Sequence, residues 1–184
     1  LEKGSDKEPI EEYDFERHGT LVEANVPETY ETVDQYWVEQ GCSLVVIGHN
    51  KRTNQGEYLL FEPTLSDFEY ELLERLHEDL RDVLILTSDE IRRDRKHLLL
   101  EKMNALVEDY GLTLELSTRF KIQYFLIRNY IGWSRLDPLM KDPQLEDISC
   151  DGHRIPIFLY HRRYRNIRTN ITFEPNILNS LAIT

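Results

Sequence analysis

The chain has 184 residues, of which 40% are hydrophobic and 30% are charged, and its formal net charge is -12. This length allows one ordinary domain or two small ones, and it excludes repeat arrays and multidomain machines. The composition excludes collagen-like and wholly disordered chains, and no apolar run reaches the roughly 20 residues of a membrane helix. The first residues also lack the apolar core of a signal peptide, so we expect a soluble cytoplasmic protein.

The charge is divided unequally along the chain. Residues 1–90 carry 7 basic and 23 acidic residues, whereas residues 91–184 carry 15 and 11. The overall acidity argues against general nucleic-acid binding, and the asymmetry indicates different roles for the two halves. The two cysteines, Cys42 and Cys150, fit neither a disulfide framework nor a zinc knuckle. We expect both to be buried, reduced thiols.

The N-terminal third begins with a polar segment and continues into a hairpin. Residues 1–25 are acidic and show no hydrophobic period, which predicts a mobile leader. The apolar runs 42–49 and 56–62 flank a polar loop, which predicts two antiparallel strands. A hairpin alone is only marginally stable, so we expect other elements to cover it.

Three amphipathic helices are predicted next. The first, over 67–83, follows a capping-box spacing from Ser66 to Glu69. The second follows the same spacing from Thr87 to Glu90 and ends at Gly111, and the third begins near Ser117 and ends at Gly132. Three such helices in succession favour a small bundle.

The last part of the chain alternates apolar and polar residues in three runs, 146–152, 154–162 and 166–174, which predicts three short strands. Their sheet would be incomplete and would leave an unpaired edge, which indicates a piece of a longer protein. We therefore predict an α+β fold in which a β-hairpin packs on a small helical bundle and a partial antiparallel or mixed sheet follows. The predicted segments are a leader (1–25), a hairpin with three helices (26–142) and the start of a sheet domain (143–184).

Common catalytic motifs are absent from the sequence. It contains no GxxxxGK[ST], GxGxxG, HExxH or GxSxG. Cys150, His153 and His161 could converge on a metal ion, but a fourth ligand is missing, so we predict no metal site. The simpler interpretation is a buried cysteine and two solvent-facing histidines.

Basic residues concentrate in the segment 153–170 and, to a lesser degree, in 91–97. The first segment carries the five arginines Arg154, Arg162, Arg163, Arg165 and Arg168. Alternation along 154–162 would place Arg162 and Arg163 on opposite faces of a strand, and Arg168, at the start of the next strand, could lie beside one of them through antiparallel pairing. Such a cluster suits a bound anion or a partner's carboxylates, because guanidinium groups bind both in a bidentate way. A solvated hairpin with surface ion pairs is an alternative, and Tyr160 and Tyr164 would allow stacking on nucleic acid.

The second basic segment begins the second predicted helix, and the first helix has an acidic face. The residues that could dock a partner through these charges are Glu71, Glu74, Glu78, Arg92 and Arg93. Basic charges near a helix N-terminus are unfavourable. The acidic face of the first helix could compensate for them by pairing with the basic segment 91–97 inside the molecule.

Residues 132–173 carry LDPLMKDP, EDISCDG and IPIFLYHRRY in this order. This stretch resembles the archaeal branch of the type II and type IV secretion-system ATPases, the protein E and archaellum-motor family. Residues 56–76 are similar to the N-terminal region of that family. The resemblance implies a hexameric parent that hydrolyses ATP with Mg²⁺, and its Walker motifs lie C-terminal to the matching region. Since the present sequence has none of them, we expect no ATPase activity, and no cofactor, in this chain alone.

The resemblance also implies a role. The chain would be the N-terminal regulatory and docking region of a motor that drives pilus, archaellum or type II secretion assembly. Arg163 and Arg168, then Arg162, would approach the nucleotide phosphates. The partners would be the membrane platform protein, the parent's own C-terminal ATPase domain and other copies of the parent, without nucleic acid. The location would be the cytoplasmic face of the membrane. The alternative is a self-standing adaptor whose arginine hairpin binds an acidic protein.

Overall fold

The computed structural model of the protein describes residues 10–85 and 95–173. The chain forms two compact units. The helical unit combines the segment that ends at Gly19 with Leu65–Ser134, and the sheet unit combines Thr20–Thr64 with the residues from Arg135 onward. The α+β class predicted from the sequence is confirmed.

In its described ranges, 10–19, 65–85 and 95–134, the helical unit forms one short and three long α-helices. Their bounds are α1 Phe15–His18, α2 Asp67–Ile85, α3 Arg95–Asp109 and α4 Leu116–Tyr130. α2 and α3 each bury one apolar face, as their periodicity predicted, with Leu76 and Met103 fully buried. α4 is buried nearly all around, because all residues from Ile122 to Leu126 are buried. The third helix begins one residue before Ser117, with Glu115 at the N-cap and no side-chain cap bond. The predicted capping box from Thr87 to Glu90 lies outside the described residues.

The capping box at the start of α2 is present. The Ser66 hydroxyl accepts a hydrogen bond from Glu69 N at 3.2 Å, and the Glu69 carboxylate accepts one from Ser66 N at 2.8 Å. This reciprocal pair satisfies two backbone donors that a helix N-terminus otherwise leaves unpaired. It fixes the position at which α2 begins.

Residues 10–19, part of the predicted mobile leader, make defined contacts in the helical unit. The His18 ring lies 4.5 Å from the Phe120 ring, and the Tyr13 ring lies 5.6 Å from it. The Gln123 amide donates a hydrogen bond to the Glu11 carbonyl at 3.1 Å. A few aromatic contacts hold this segment, so no hydrophobic period marks it in the sequence.

Among the residues that the structure describes, the sheet unit forms six strands and one short α-helix. The strands are β1 Tyr30–Glu39, β2 Ser43–Asn50, β3 Gln55–Phe61, β4 Leu145–Ser149, β5 Phe158–His161 and β6 Arg165–Thr169, and α5 is Asp137–Lys141. Their order is β1-β2-β3-β6-β5-β4, and only the β3–β6 pair is parallel. The predicted hairpin is therefore β2–β3, and it shares a sheet with the three C-terminal strands. This pairing across the chain is why the two units differ from the segments predicted from the sequence.

Two elements of the sheet differ from their sequence prediction. β1 was not predicted, because two register shifts interrupt its alternation of polar and apolar side chains. β5 is only four residues long, because Pro156 has no N–H for the ladder and Arg154 has a left-handed φ of 60°. Both sheet faces are apolar along β2, with Val45 and Ile47 on one face and Leu44 and Val46 on the other.

The cysteine and histidine environments correct the sequence prediction. Cys42 is buried, and burial raises the pKa of its thiol to about 12, but Cys150 is exposed. His153 is exposed, whereas His161 is buried. Within 10–85 and 95–173, no cluster of His, Cys, Asp or Glu side chains could hold a metal ion, and no helix there is long and apolar enough to cross a bilayer.

Candidate functional site

The turn between β5 and β6 carries the densest group of basic side chains in the sheet unit. We call residues 162–165 the arginine turn. His161 and Arg165 pair across the hairpin, and Arg165 adopts a left-handed φ of 60°, which closes the turn tightly. Arg162 and Arg163 therefore lie in the turn itself, and not on opposite faces of a strand as the sequence predicted.

Two arginines of the turn form exposed ion pairs. Arg163 Nη1 donates to Asp34 Oδ2 on β1 at 3.2 Å, and Arg162 Nε lies 3.5 Å from Glu146 on β4. The Arg163 side chain is 72% exposed. Pairs this exposed contribute about 0–1 kcal/mol to folding, so they can be exchanged for another carboxylate at small cost.

Arg165 and Arg168 lie on or next to β6. Arg165 Nη1 donates to the Tyr160 hydroxyl at 2.9 Å. Arg168 is in register with Phe158 on β5 and with Glu57 on β3, so it is three residues from the turn. The sequence placed Arg168 at the start of its strand beside Arg162 or Arg163; the strand instead begins at Arg165.

A buried polar cluster lies beneath the arginine turn. The hydroxyls of Tyr36 and Tyr58 donate to Asp142 Oδ2 at 2.8 and 2.7 Å, and Gln144 N donates to Asp142 Oδ1 at 2.8 Å. Asp142 is only 4% exposed and Tyr58 is fully buried. We call Tyr36, Tyr58, Asp142 and His161 the tyrosine–aspartate cluster. A buried carboxylate is tolerated here because each of its oxygens accepts a hydrogen bond.

His161 joins this cluster to the arginine turn. Its Nε2 lies 3.1 Å from the Tyr36 hydroxyl, and its Nδ1 accepts hydrogen bonds from the backbone N–H groups of Arg163 and Tyr164 at 3.1 and 3.3 Å. The Tyr164 hydroxyl in turn donates to Asp34 Oδ2 at 2.9 Å. The backbone of the turn is thus held from inside the unit, while its guanidinium groups face outward.

These contacts require the sheet to curl. β1 and β5 are four strand spacings apart in the sheet order, which would be about 19 Å in a flat sheet. The Tyr36 hydroxyl nevertheless reaches His161. The sheet therefore bends around its core, which includes Tyr58, Leu159 and Ile167, and brings β1 to the turn.

Burial sets the protonation of the cluster. It lowers the pKa of His161, and the nearby Asp142 and Asp34 only partly oppose this effect. Burial and the adjacent Asp142 carboxylate raise the pKa of Tyr36 and of Tyr58. Neutral phenols and a neutral imidazole therefore surround Asp142 at neutral pH.

The acidic docking residues predicted from the sequence lie on the exposed face of α2. Glu71, Glu74 and Glu78 line a shallow groove together with Tyr70, Arg75 and Asp79. Asp79 accepts a hydrogen bond from Tyr110, the residue after α3, and its Oδ2 lies 4.0 Å from Arg75 Nε. Arg92 and Arg93 lie outside the described residues. Their neighbour Lys96 pairs with Glu12, and not with the acidic face of α2.

Sequence reasoning missed the residues that support the turn. Asp34 and Tyr36 belong to no motif, and Tyr58 and Asp142 occur only within the stretches that carry the family resemblance. Nothing in those stretches indicates that these side chains meet, because their partners lie far away along the chain. The single available signal was the Asp-Pro step at 142–143, which is typical of a side chain that bonds its own backbone in a turn. Asp142 does so with Gln144.

Comparison with known proteins adds a family and two relatives. Residues 3–64 match the family described as PilB3-like, N-terminal. The chain is 34% identical over 166 residues to the uncharacterized protein MJ1288 of Methanocaldococcus jannaschii, which covers 88% of this chain and 66% of that protein. It is 24% identical over 123 residues to the uncharacterized protein MJ0781 of the same organism, covering 65% of this chain and 16% of that protein. The chain thus spans less than two thirds of the length of either relative.

The family match supports the coarser part of the resemblance. It lies at residues 3–64 and includes most of the predicted leader, whereas the motifs quoted from the sequence lie mainly at 132–173. In the structure these two stretches meet, because β3 within 3–64 pairs with β6 within 132–173. Residues 3–64 are therefore similar to the N-terminal region of PilB3-like proteins, a group related to secretion ATPases.

Proposed function

We propose that this chain is a protein-interaction domain whose arginine turn binds an acidic segment of a partner protein. The observation that carries the proposal concerns Arg163: its side chain is 72% exposed, and its Nη1 lies 3.2 Å from the Asp34 carboxylate. The turn therefore has the geometry for carboxylates, and its other arginines can take more of them.

The physical advantage of this surface is a fixed backbone beneath exposed charges. A loop that becomes ordered on binding loses about 1–2 kcal/mol per residue in backbone entropy. The arginine turn avoids most of this cost, because its backbone is already held: His161 accepts hydrogen bonds from the N–H groups of Arg163 and Tyr164. Arginine also suits this role, since its planar fork matches carboxylates in a bidentate way.

The similarity to PilB3-like proteins suggests the partner. We propose the membrane platform protein of a pilus or secretion assembly, which the resemblance of residues 132–173 also implies. The domain would then work at the cytoplasmic face of the membrane through this partner. It would need no cofactor and no nucleic acid for binding.

Calorimetric titration of the chain with the cytoplasmic part of the platform protein tests the proposal. We expect Arg162→Glu/Arg163→Glu to weaken binding at least about tenfold, which is about 1.4 kcal/mol. The matched control reverses three charges on the helical unit, Glu71→Lys/Glu74→Lys/Glu78→Lys, and should leave the affinity unchanged. Unchanged binding by the arginine variant would overturn the proposal. Loss of binding by the control alone would place docking on α2.

A second candidate function follows from the alignment with MJ0781. That alignment covers 65% of this chain but only 16% of MJ0781, so a region similar to this chain occurs inside a much longer protein. In such a setting the chain would be the N-terminal region of a hexameric secretion ATPase. Arg163 and Arg168, with Arg162, would face the phosphates of ATP and Mg²⁺ across the interface with the parent's own ATPase domain.

ATPase turnover of a longer protein that includes this region separates the two candidates. If the arginines stabilise charge on the transferred phosphoryl group, Arg163→Ala or Arg168→Ala should lower turnover at least about tenfold with nucleotide affinity largely kept. Unchanged turnover would remove this candidate and leave the interaction domain. Glu71→Ala on α2 serves as the control that should leave turnover unchanged.

A further inference from the structure

We propose that His161 is the positioning residue of the arginine turn, acting as a neutral imidazole with its proton on Nε2, and that protonation of Nδ1 releases the turn. The binding role of the turn rests on the proposed function. The hydrogen-bond geometry around His161 does not depend on it.

The hydrogen bonds around His161 fix its tautomer. Two backbone N–H groups, those of Arg163 and Tyr164, point at Nδ1, so this nitrogen must be an acceptor without a proton. The ring proton then resides on Nε2, which faces the Tyr36 hydroxyl oxygen at 3.1 Å. The Tyr36 proton is in turn committed to Asp142 at 2.8 Å. His161 therefore donates a hydrogen bond to Tyr36, and Tyr36 donates one to Asp142.

Protonation of His161 would break this arrangement at the turn. An imidazolium carries N–H on both nitrogens, so Nδ1–H would face two backbone N–H groups that have lost their acceptor. The titratable and charged groups near the ring are Tyr36 and Asp34 on β1, Asp142 after α5, and Arg163 and Tyr164 in the turn itself. The Asp142 and Asp34 carboxylates favour the cation, whereas Arg163 and the buried setting oppose it.

The consequence for binding is a loss of the fixed turn on acidification. Near neutral pH the ring is neutral and holds the two N–H groups. Below the ordinary histidine range the ring becomes charged, the backbone of residues 162–165 loses its anchor, and the arginines no longer present one shape. The Arg163–Asp34 and Tyr164–Asp34 contacts depend on the same backbone and would open with it.

Two substitutions separate the two sides of the imidazole. In His161→Asn the amide oxygen occupies the place of Nδ1, because both atoms are two bonds from Cβ, so the turn keeps its acceptor. In His161→Gln the amide lies one bond further out, in the place of Nε2, so the contact with Tyr36 is kept and the turn loses its acceptor. The two variants are similar in polarity and charge, which makes them a matched pair.

The experiment is NMR spectroscopy of the chain with ¹⁵N labelling, followed from pH 7.5 to pH 4.5. At pH 7.5 the ring nitrogens of His161 should show the Nε2–H tautomer. The amide hydrogens of Arg163 and Tyr164 should exchange at least about tenfold faster in His161→Gln than in the wild type at pH 7.5. His161→Asn should retain their protection across the whole pH range, whereas the wild type should lose it in parallel with the protonation of its ring.

A binding arm uses a hexaglutamate peptide as the probe at pH 7.5 and pH 5.0. Between these values the wild type should lose affinity by a larger factor than His161→Asn, because only the wild type has an imidazole that becomes protonated at this position. The titration of the peptide itself affects both proteins alike. An Nδ1–H tautomer in the wild type, or equal amide protection in the two variants, would overturn the positioning role. The tautomer is read on the wild type, so this test stands even if a variant fails to fold. Turn protection that behaves as expected without any peptide binding would contradict only the proposed function.

Discussion

A buried carboxylate lies in each unit of the protein, and the two are held by different kinds of partner. In the helical unit, Glu69 accepts hydrogen bonds from Ser66 N at 2.8 Å and the Thr118 hydroxyl at 2.7 Å, and it pairs with the Lys121 ammonium at 3.3 Å. In the sheet unit, the donors to Asp142 are two tyrosine hydroxyls and one backbone amide.

The difference determines what each unit loses when its carboxylate is removed. Around Glu69, the partners are a cation and groups near the helix ends, and the Lys121 side chain can turn toward water. Around Asp142, the Tyr58 phenol is fully buried and the Tyr36 phenol is partly buried, so the Tyr58 hydroxyl cannot reach water without unfolding. Removing an acceptor whose donor stays buried costs more than removing one whose cationic partner can turn toward water. We therefore expect the sheet unit to be the more sensitive one.

The largest effect is expected from Asp142→Ala. This change leaves the hydroxyls of Tyr36 and Tyr58 without an acceptor, and at about 1–3 kcal/mol for each such group the free energy of unfolding should fall by about 3 kcal/mol or more. Urea denaturation monitored by fluorescence measures the loss. In the background Tyr36→Phe/Tyr58→Phe the same substitution should cost at least about 1.5 kcal/mol less, because no hydroxyls remain to be stranded. Equal losses in both backgrounds would contradict the account of the cluster.

Glu69→Gln should destabilise the protein by about 1–2 kcal/mol near neutral pH, because hydrogen bonds and an ion pair to a charged group are replaced by neutral ones. Burial alone would raise the pKa of Glu69, but the Ser66 N–H, Thr118 and Lys121 outweigh it and lower that pKa. The stability that this charge contributes is therefore present above the pKa of an unfolded glutamate, and it disappears as the pH falls through the lower pKa of the folded state.

The measurement for Glu69 is the difference in unfolding free energy between the wild type and Glu69→Gln from pH 7 to pH 3. The difference should shrink steadily toward acid pH. A difference that stays constant over this range would show that the carboxylate charge contributes nothing to the fold.

A smaller effect is expected at the start of α2. Ser66→Ala removes the acceptor of Glu69 N and should cost about 1 kcal/mol, the usual loss for an N-cap serine. Thermal unfolding measures it, and Ser66→Asp should recover most of the loss, because its carboxylate accepts the same N–H. An alanine variant as stable as the wild type would contradict the role of the capping box.

The smallest effect on stability is expected at the arginine turn. Arg163→Ala removes an exposed ion pair with Asp34 and the contact of the guanidinium with the Tyr164 ring, so the unfolding free energy should change by less than about 1 kcal/mol. Chemical denaturation checks this value. A loss above about 1.5 kcal/mol would mean that the arginine is part of the structural core, and it would remove the reason to assign it a binding role.

The two carboxylates also show what the sequence can and cannot predict. Ser66 and Glu69 are three residues apart, so their spacing alone predicted both the capping box and the start of α2. Tyr58 and Tyr36 lie 84 and 106 residues from Asp142, and no local pattern connects them. Contacts over such separations depend on how the strands are ordered in the sheet, which periodicity does not encode.

The arginine turn lies between these cases. Its composition singled out the arginines, and two predicted strands flank it as expected. The predicted register of the second strand was wrong by three residues. The strand was expected to begin at Arg168, whereas β6 begins at Arg165, whose left-handed φ lets the strand follow the turn immediately. β1 was missed for a related reason, since its two register shifts break the alternation on which a strand prediction depends.

The pairing of β3 with β6 has a consequence during synthesis on the ribosome. β3 ends at Phe61 and β6 begins at Arg165, so roughly 100 residues are translated before β3 receives its second neighbour. At about 5–20 residues per second, this interval is about 5–20 s, and β3 is the open edge of a three-stranded sheet throughout it. An open apolar edge is a site for pairing with other nascent chains. Glu57 on this edge is in register with Arg168, but its carboxylate accepts hydrogen bonds from Tyr30 and Asn50 of the same three strands, so the edge stays open until β6 pairs with it.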